Sequence, residues 1–111
     1  NNSEIGTINV WNHAPLTVSG TSTVDKIDAF ALVNGSVTIE SGATVKSLNV
    51  DELSPSYAPK VNINAGAIIG TLNLNSITKT NKITIDDGAT ITKIIHKGVE
   101  YTSIADFKAS L

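Results

Sequence analysis

One phrase is written three times in this chain: VTIESGATVKSLNV (37–50), VNINAGAIIGTLNL (61–74) and ITIDDGATITKII (83–95). Aligned on Gly42, Gly66 and Gly88, the copies stand 24 and 22 residues apart. Before each glycine lies an apolar pair: Val37/Ile39, Val61/Ile63 and Ile83/Ile85. Directly after it comes alanine: Ala43, Ala67 and Ala89. An apolar trio follows in two copies, Val45/Leu48/Val50 and Ile69/Leu72/Leu74, and in the last copy His96 takes the third place after Ile91 and Ile94. The frame reaches upstream, where LTVSGTSTVDKIDA (16–29) supplies Leu16/Val18, Gly20 and then Val24/Ile27/Ala29. Earlier still, IGTINV (5–10) nearly copies IGTLNL (69–74).

Within a unit the apolar residues are two apart, which is the period of a strand with one buried face. β-Branched residues are abundant and glycine punctuates the runs, as expected for short strands and tight turns. A β-sandwich or roll would accept such strands, but it would not require the same side chains every 22 residues or so. A solenoid does require them, because each coil lies about 4.8 Å above the last and stacks like on like. The predicted fold is therefore all-β: a short parallel β-solenoid of about four to five coils of roughly 22 residues. Its predicted interior columns are Val18/Ile39/Ile63/Ile85 and Ile8/Ile27/Leu48/Leu72/Ile94. Residues 5–97 form the coils of a single domain spanning 1–111.

The phrase VTIESGATVKSLNV resembles the coils of right-handed parallel β-helices, the pectin-lyase-like architecture. Its Gly-Ala-Thr wording is most similar to repeats in bacterial secreted and surface proteins, adhesins and autotransporter passengers among them. The resemblance covers about Ile5 to Lys97 and marks a coil, not a chemistry. It implies an extracellular or bacterial cell-surface location. The chain does not begin with Met and opens midway through a unit, so it reads as a piece that continues into other domains.

The segment TSIADFKASL places Ile104, Phe107 and Leu111 at helical spacing, and Ser103 with Asp106 matches a capping box. The last coil of a solenoid exposes apolar ends and unpaired strand edges. A capping helix over 103–110 is therefore expected, together with a bare or externally covered first strand. GVEYTSIADF also resembles a phrase that flanks β-helical modules in bacterial surface proteins. Where the repeat lengthens, loops must leave the coil: WNHAP (11–15), DELSPSYAPK (51–60) and NSITKTNK (75–82). Each follows the same strand of a unit, so all are expected on one side.

Charge narrows the function. The net charge is −2 and every one of the 8 basic residues is Lys, so the arginine contacts and basic surplus of a nucleic-acid binder are missing. No apolar run approaches the length of a membrane span. Cysteine is absent, which excludes disulfides, Cys-ligated zinc and thiol chemistry.

Candidate chemistry is sparse. His96 occupies an inward position, and His13 lies in the Trp11 loop. The two are not expected to form a metal pair. Asp86 and Asp87 precede Gly88, where a turn explains them. Glu40, Asn64 and Asp86 share an outward column that resembles the calcium-holding carboxylates of β-helical lyases, but Asn64 interrupts it and no Arg is present to act as base. Rows such as Thr17/Thr38/Asn62/Thr84 and Asn9/Asp28/Asn49/Asn73 are mixed rather than the doubled Thr-x-Thr of an ice-binding face. No catalytic residue, metal ligand or cofactor is predicted. The candidate ligand-binding residues are Trp11, His13 and Tyr57, since exposed aromatics stack on sugar rings and bury area at interfaces. The expected function is a structural or adhesive module that acts as spacer or presents loops to a glycan or protein partner. The alternative is a carbohydrate-binding module using Trp11 and Tyr57; a glycan-cleaving enzyme ranks below both.

Overall fold

The computed structural model describes residues 4–11, 15–30, 36–51, 60–75, 77 and 83–110. Ten strands and one helix follow in order: β1 (Glu4–Trp11), β2 (Pro15–Val18), β3 (Thr23–Phe30), β4 (Ser36–Ile39), β5 (Thr44–Val50), β6 (Lys60–Ile63), β7 (Ile68–Asn73), β8 (Ile83–Ile85), β9 (Thr90–His96), β10 (Val99–Tyr101) and α1 (Ile104–Ala109). From β1 to β9, odd and even strands separate into two sheets, and β10 joins the odd one. One sheet runs β1-β3-β5-β7-β9-β10 and the other β2-β4-β6-β8. Every pairing is parallel except β9 with β10. The chain therefore winds as a parallel β-solenoid. It makes about three turns, fewer than the four to five coils that counting repeat units suggests.

The register is the one the repeat dictates. Val18, Ile39, Ile63 and Ile85 stack in succession, as do Ile8, Ile27, Leu48, Leu72 and Ile94. The middle members of both columns are fully buried. A one-residue slip would turn every one of them to solvent, so the pattern holds the register firmly. Each long strand also carries a local interruption. Ladder pairing skips Gly6, Asp25, Lys46, Gly70 and Thr92, and the apolar residues around the gap are three apart rather than two. Two consecutive residues thus face outward there. At Gly70 a Cβ would run into the Lys46 carbonyl oxygen, so the close approach of the two backbones needs glycine.

The two edges of the coil differ. On one edge tight turns stack. The amides of Ala43, Ala67 and Ala89 donate to the carbonyls of Glu40, Asn64 and Asp86 at 3.2, 3.1 and 3.0 Å. Gly42 and Gly66 adopt φ of +88° and +83°, which only glycine takes without strain. Their amides bond down the stack, Gly42 to the Gly66 carbonyl and Gly66 to that of Gly88, both at 3.1 Å. Ala43, Ala67 and Ala89 are buried just inside these turns, where the corner has room for one methyl. The opposite edge is where the strands of the larger sheet hand over to those of the smaller one, and it carries the lengthened connections.

The C-terminal end is closed, in more detail than the sequence pattern suggests. The expected helix is present: Ser103 is the N-cap, and its hydroxyl accepts the Asp106 amide at 3.1 Å. Phe107 is 1% exposed, and Ile104 packs against the core. Leu111 lies outside the described residues. Beyond the helix, a hairpin that the repeat does not announce adds β10 antiparallel to β9. Its two-residue turn, Lys97-Gly98, has φ of 51° and 78°, the left-handed pair that suits strand twist. The parallel ladder is thus ended by an antiparallel strand before the helix covers the core.

Candidate functional site

The candidate site is the loop-bearing edge. Trp11 ends β1 and pairs with Phe30 at the end of β3, while Ala29 pairs with Val50 of β5. On the returning side Pro15, Ser36 and Lys60 lie in succession at the starts of β2, β4 and β6. The bases of the connections between these strands are therefore aligned along one edge, as expected from each following the same strand. Trp11 contributes its backbone to β1, but its side chain lies outside the described residues. His13 and Tyr57 lie outside them altogether, as do residues 52–59 and 78–82 of the two longer excursions.

Just inside this edge runs the column Asn9/Asp28/Asn49/Asn73. Alternation sends it to the outer face, which predicts solvation. Asp28 is instead buried, at 8% exposed. It accepts a hydrogen bond from Asn49 Nδ2 at 2.8 Å, and Lys26 Nζ stands 3.5 Å from its other oxygen. A carboxylate removed from water needs such partners, and the stacked amide and the neighbouring ammonium supply them. Lower in the column, Asn73 Oδ1 accepts the Asn75 amide at 3.0 Å, and Asn75 Oδ1 accepts the amide of Gly98. Side chains of this column and its successor thus fix where the chain leaves the coil. The sequence signal was present, since four Asn or Asp residues repeat in one register. Nothing local marked Asp28 as the member that would be covered.

His96 sits inward at the closed end, in the place held by Val50 and Leu74. It is 7% exposed, with Nε2 2.9 Å from the Ile77 carbonyl oxygen and its ring edge-on to Phe107 at 5.6 Å. A carbonyl can only accept, so Nε2 carries the proton and donates. This joins the 77 backbone to the cap and leaves His96 as a structural residue. Asp86 also serves its own turn, its Oδ1 accepting the Gly88 amide at 2.8 Å. Asp87 reaches Lys108 of the helix at 2.8 Å. Glu40 and Asp86 stand two coils apart in their column, about 9.6 Å at the usual strand spacing, too far to share one cation with only Asn64 between. Among the described residues no three His, Cys, Asp or Glu side chains gather as a metal site, and no helix is long and apolar enough to cross a membrane.

Comparison with known proteins finds no matching family model, no matching curated protein and no matching solved structure.

Proposed function

We propose that the chain is a non-catalytic structural and adhesive module of a bacterial secreted or cell-surface protein. Its stacked strands carry connections of unequal length along one edge. One observation carries this reading: the bases of the connections are aligned along a single edge, while the opposite edge is closed by near-identical turns. Rigid scaffolds with variable loops on one side are the usual way to present binding residues. The Gly-Ala-Thr phrasing of the coils supports the pectin-lyase-like reading and the extracellular setting. A right-handed winding accords with the strong preference for right-handed crossovers between parallel strands of one sheet.

A carbohydrate ligand is the second reading. Trp11 closes β1 at the loop-bearing edge, and Tyr57 belongs to the longest excursion from it. A glycan array with the 111-residue chain, beside a variant whose residues 52–59 are replaced by a short Gly-Ser linker, tests both. Binding that disappears in the loop variant while the melting temperature holds is the expected result. Signals on sugars that also vanish with Trp11→Ala and Tyr57→Ala favour the carbohydrate reading. Calcium-dependent cleavage of an acidic glycan by the purified chain would overturn the non-catalytic one.

A further inference from the structure

The turns stacked along the closed edge differ in how their glycine amides are held. Those of Gly42 and Gly66 donate to the carbonyl of the glycine one turn on, both at 3.1 Å. Gly88 belongs to the last of these turns, and its amide donates instead to a side chain, Asp86 Oδ1, at 2.8 Å. The residue before the glycine also changes along the stack, from Ser41 to Ala65 to Asp87. Asp87-Gly88 is the one aspartate–glycine step in the chain. The Asp87 side chain is 86% exposed, and Lys108 Nζ of α1 holds its Oδ1 at 2.8 Å.

We propose that Asp87 is a site of covalent self-modification: it isomerises through a cyclic imide once the contacts from Asp86 and Lys108 let go, and its conversion loosens the α1 cap. Glycine has no Cβ to shield its nitrogen. The Gly88 nitrogen bonds to Cγ of Asp87 and loses its proton, which departs with the carboxyl hydroxyl as water. Water then adds back to either carbonyl of the five-membered ring. Breaking the bond to the side-chain carbonyl restores aspartate. Breaking the bond to the main-chain carbonyl leaves isoaspartate, whose main chain runs through Cβ and is one atom longer. No oxidant, reductant or cofactor is consumed.

Both contacts oppose ring closure. The Asp86 carboxylate ties the Gly88 N–H and pins the amide within the turn. The Lys108 ammonium binds the Asp87 carboxylate as an anion, the form without the hydroxyl that has to leave, and holds it toward α1. Water has access through an open crevice between turn and helix, lined by Asp87, Ala89, Thr90, Ile91, Ile104 and Ala105. The consequence falls on the cap. An extra main-chain atom between positions 87 and 88 displaces the carboxylate from Lys108 and disturbs the 3.0 Å bond from the Ala89 amide to the Asp86 carbonyl. That turn leads directly into β9, on which β10 and α1 are packed.

Incubation of the 111-residue chain at neutral pH, followed by digestion at lysine, isolates residues 83–93 as one peptide. Chromatography separates its aspartate and isoaspartate forms, which have equal mass, and fragmentation places the change at 87. The Asn34-Gly35 step, open to the related loss of ammonia, falls in the separate peptide 27–46. The urea-unfolded chain should accumulate isoaspartate faster than the folded one. Lys108→Ala should raise the folded-state rate about two- to fivefold, the reach of an exposed ion pair. Asp86→Ala should raise it about tenfold, as expected for one hydrogen bond to a charged group. Lys108→Arg and Asp86→Asn, which keep the charge and the acceptor, should stay near the parent rate. The isoaspartate form should melt below the unmodified chain. Equal rates in the folded and unfolded chains overturn the proposal, as does an unfolded chain that forms no isoaspartate at 87. So does a rate that neither Lys108→Ala nor Asp86→Ala raises, or an Asp86→Asn chain that reacts as fast as Asp86→Ala. An isoaspartate form that melts with the unmodified chain also overturns it, because the cap would not feel the turn.

Discussion

The two ends of the coil stack present the same apolar columns to different surroundings. At the β9 end the chain spends its last described residues on closure. A left-handed two-residue turn brings β10 back to satisfy the free edge, and α1 then lays Phe107 on the core. His96, Tyr101 and Phe107 meet edge to face there, with ring centroids 5.6 and 5.7 Å from Phe107. At the β1 end, residues of identical type in identical register are left half-covered, and Ile5 is among the most exposed large apolar side chains described. The difference teaches that a solenoid's stability is local. Each coil depends on its neighbours, so what a given isoleucine contributes depends on which coil it belongs to.

The most severe way to break the contrast is to cut the chain after Glu100. This removes α1 and bares Ile91, Ile94 and the ring of His96 at once. Burying Phe107 alone is worth about 1.5–3 kcal/mol, a large part of what a marginal domain of this size has in reserve. The truncated chain should melt far below the intact one and should associate through its newly exposed end. A melting curve with size-exclusion chromatography checks this. An unchanged monomer with an unchanged melting temperature would mean that the stack is closed by something other than α1.

A gentler comparison sets one residue at each end against the other. Phe107→Ala should cost about 3–5 kcal/mol, the range for deleting a buried aromatic ring. Ile5→Ala should cost about 1 kcal/mol or less, because its side chain is only partly removed from water. Urea unfolding of both variants gives the two values, and comparable losses would erase the distinction between the ends. A similarly small effect is expected at Ser103. Its hydroxyl satisfies one amide at the start of α1, so Ser103→Ala should cost about 1 kcal/mol. Glycine at the same position should cost less, and the order of the two variants separates loss of the cap from a change in packing.

Much of this architecture was written in the sequence, because a solenoid repeats its own interior. The inward columns, the alanine corners, the glycine turns and the Ser103 cap each follow from short-range chemistry at a fixed period, and they can be read without knowing what lies above or below. The candidate site was less legible. Trp11 is placed at the loop-bearing edge through its backbone, whereas His13 and Tyr57 lie in connections whose lengths follow no period. The β9–β10 hairpin occurs once, and its Lys97-Gly98 turn resembles any loop until β9 is seen to need a partner. Asp28 shows the same limit from another side. Alternation assigns it to the outer face, but burial depends on what the rest of the chain lays against that face. Period and side-chain type settled the coil and its register. The tertiary structure alone decided how the free edge of β9 is paired, which carboxylate is covered and by which amide it is held. Those outcomes depend on contacts between residues far apart in sequence, and no local pattern encodes them.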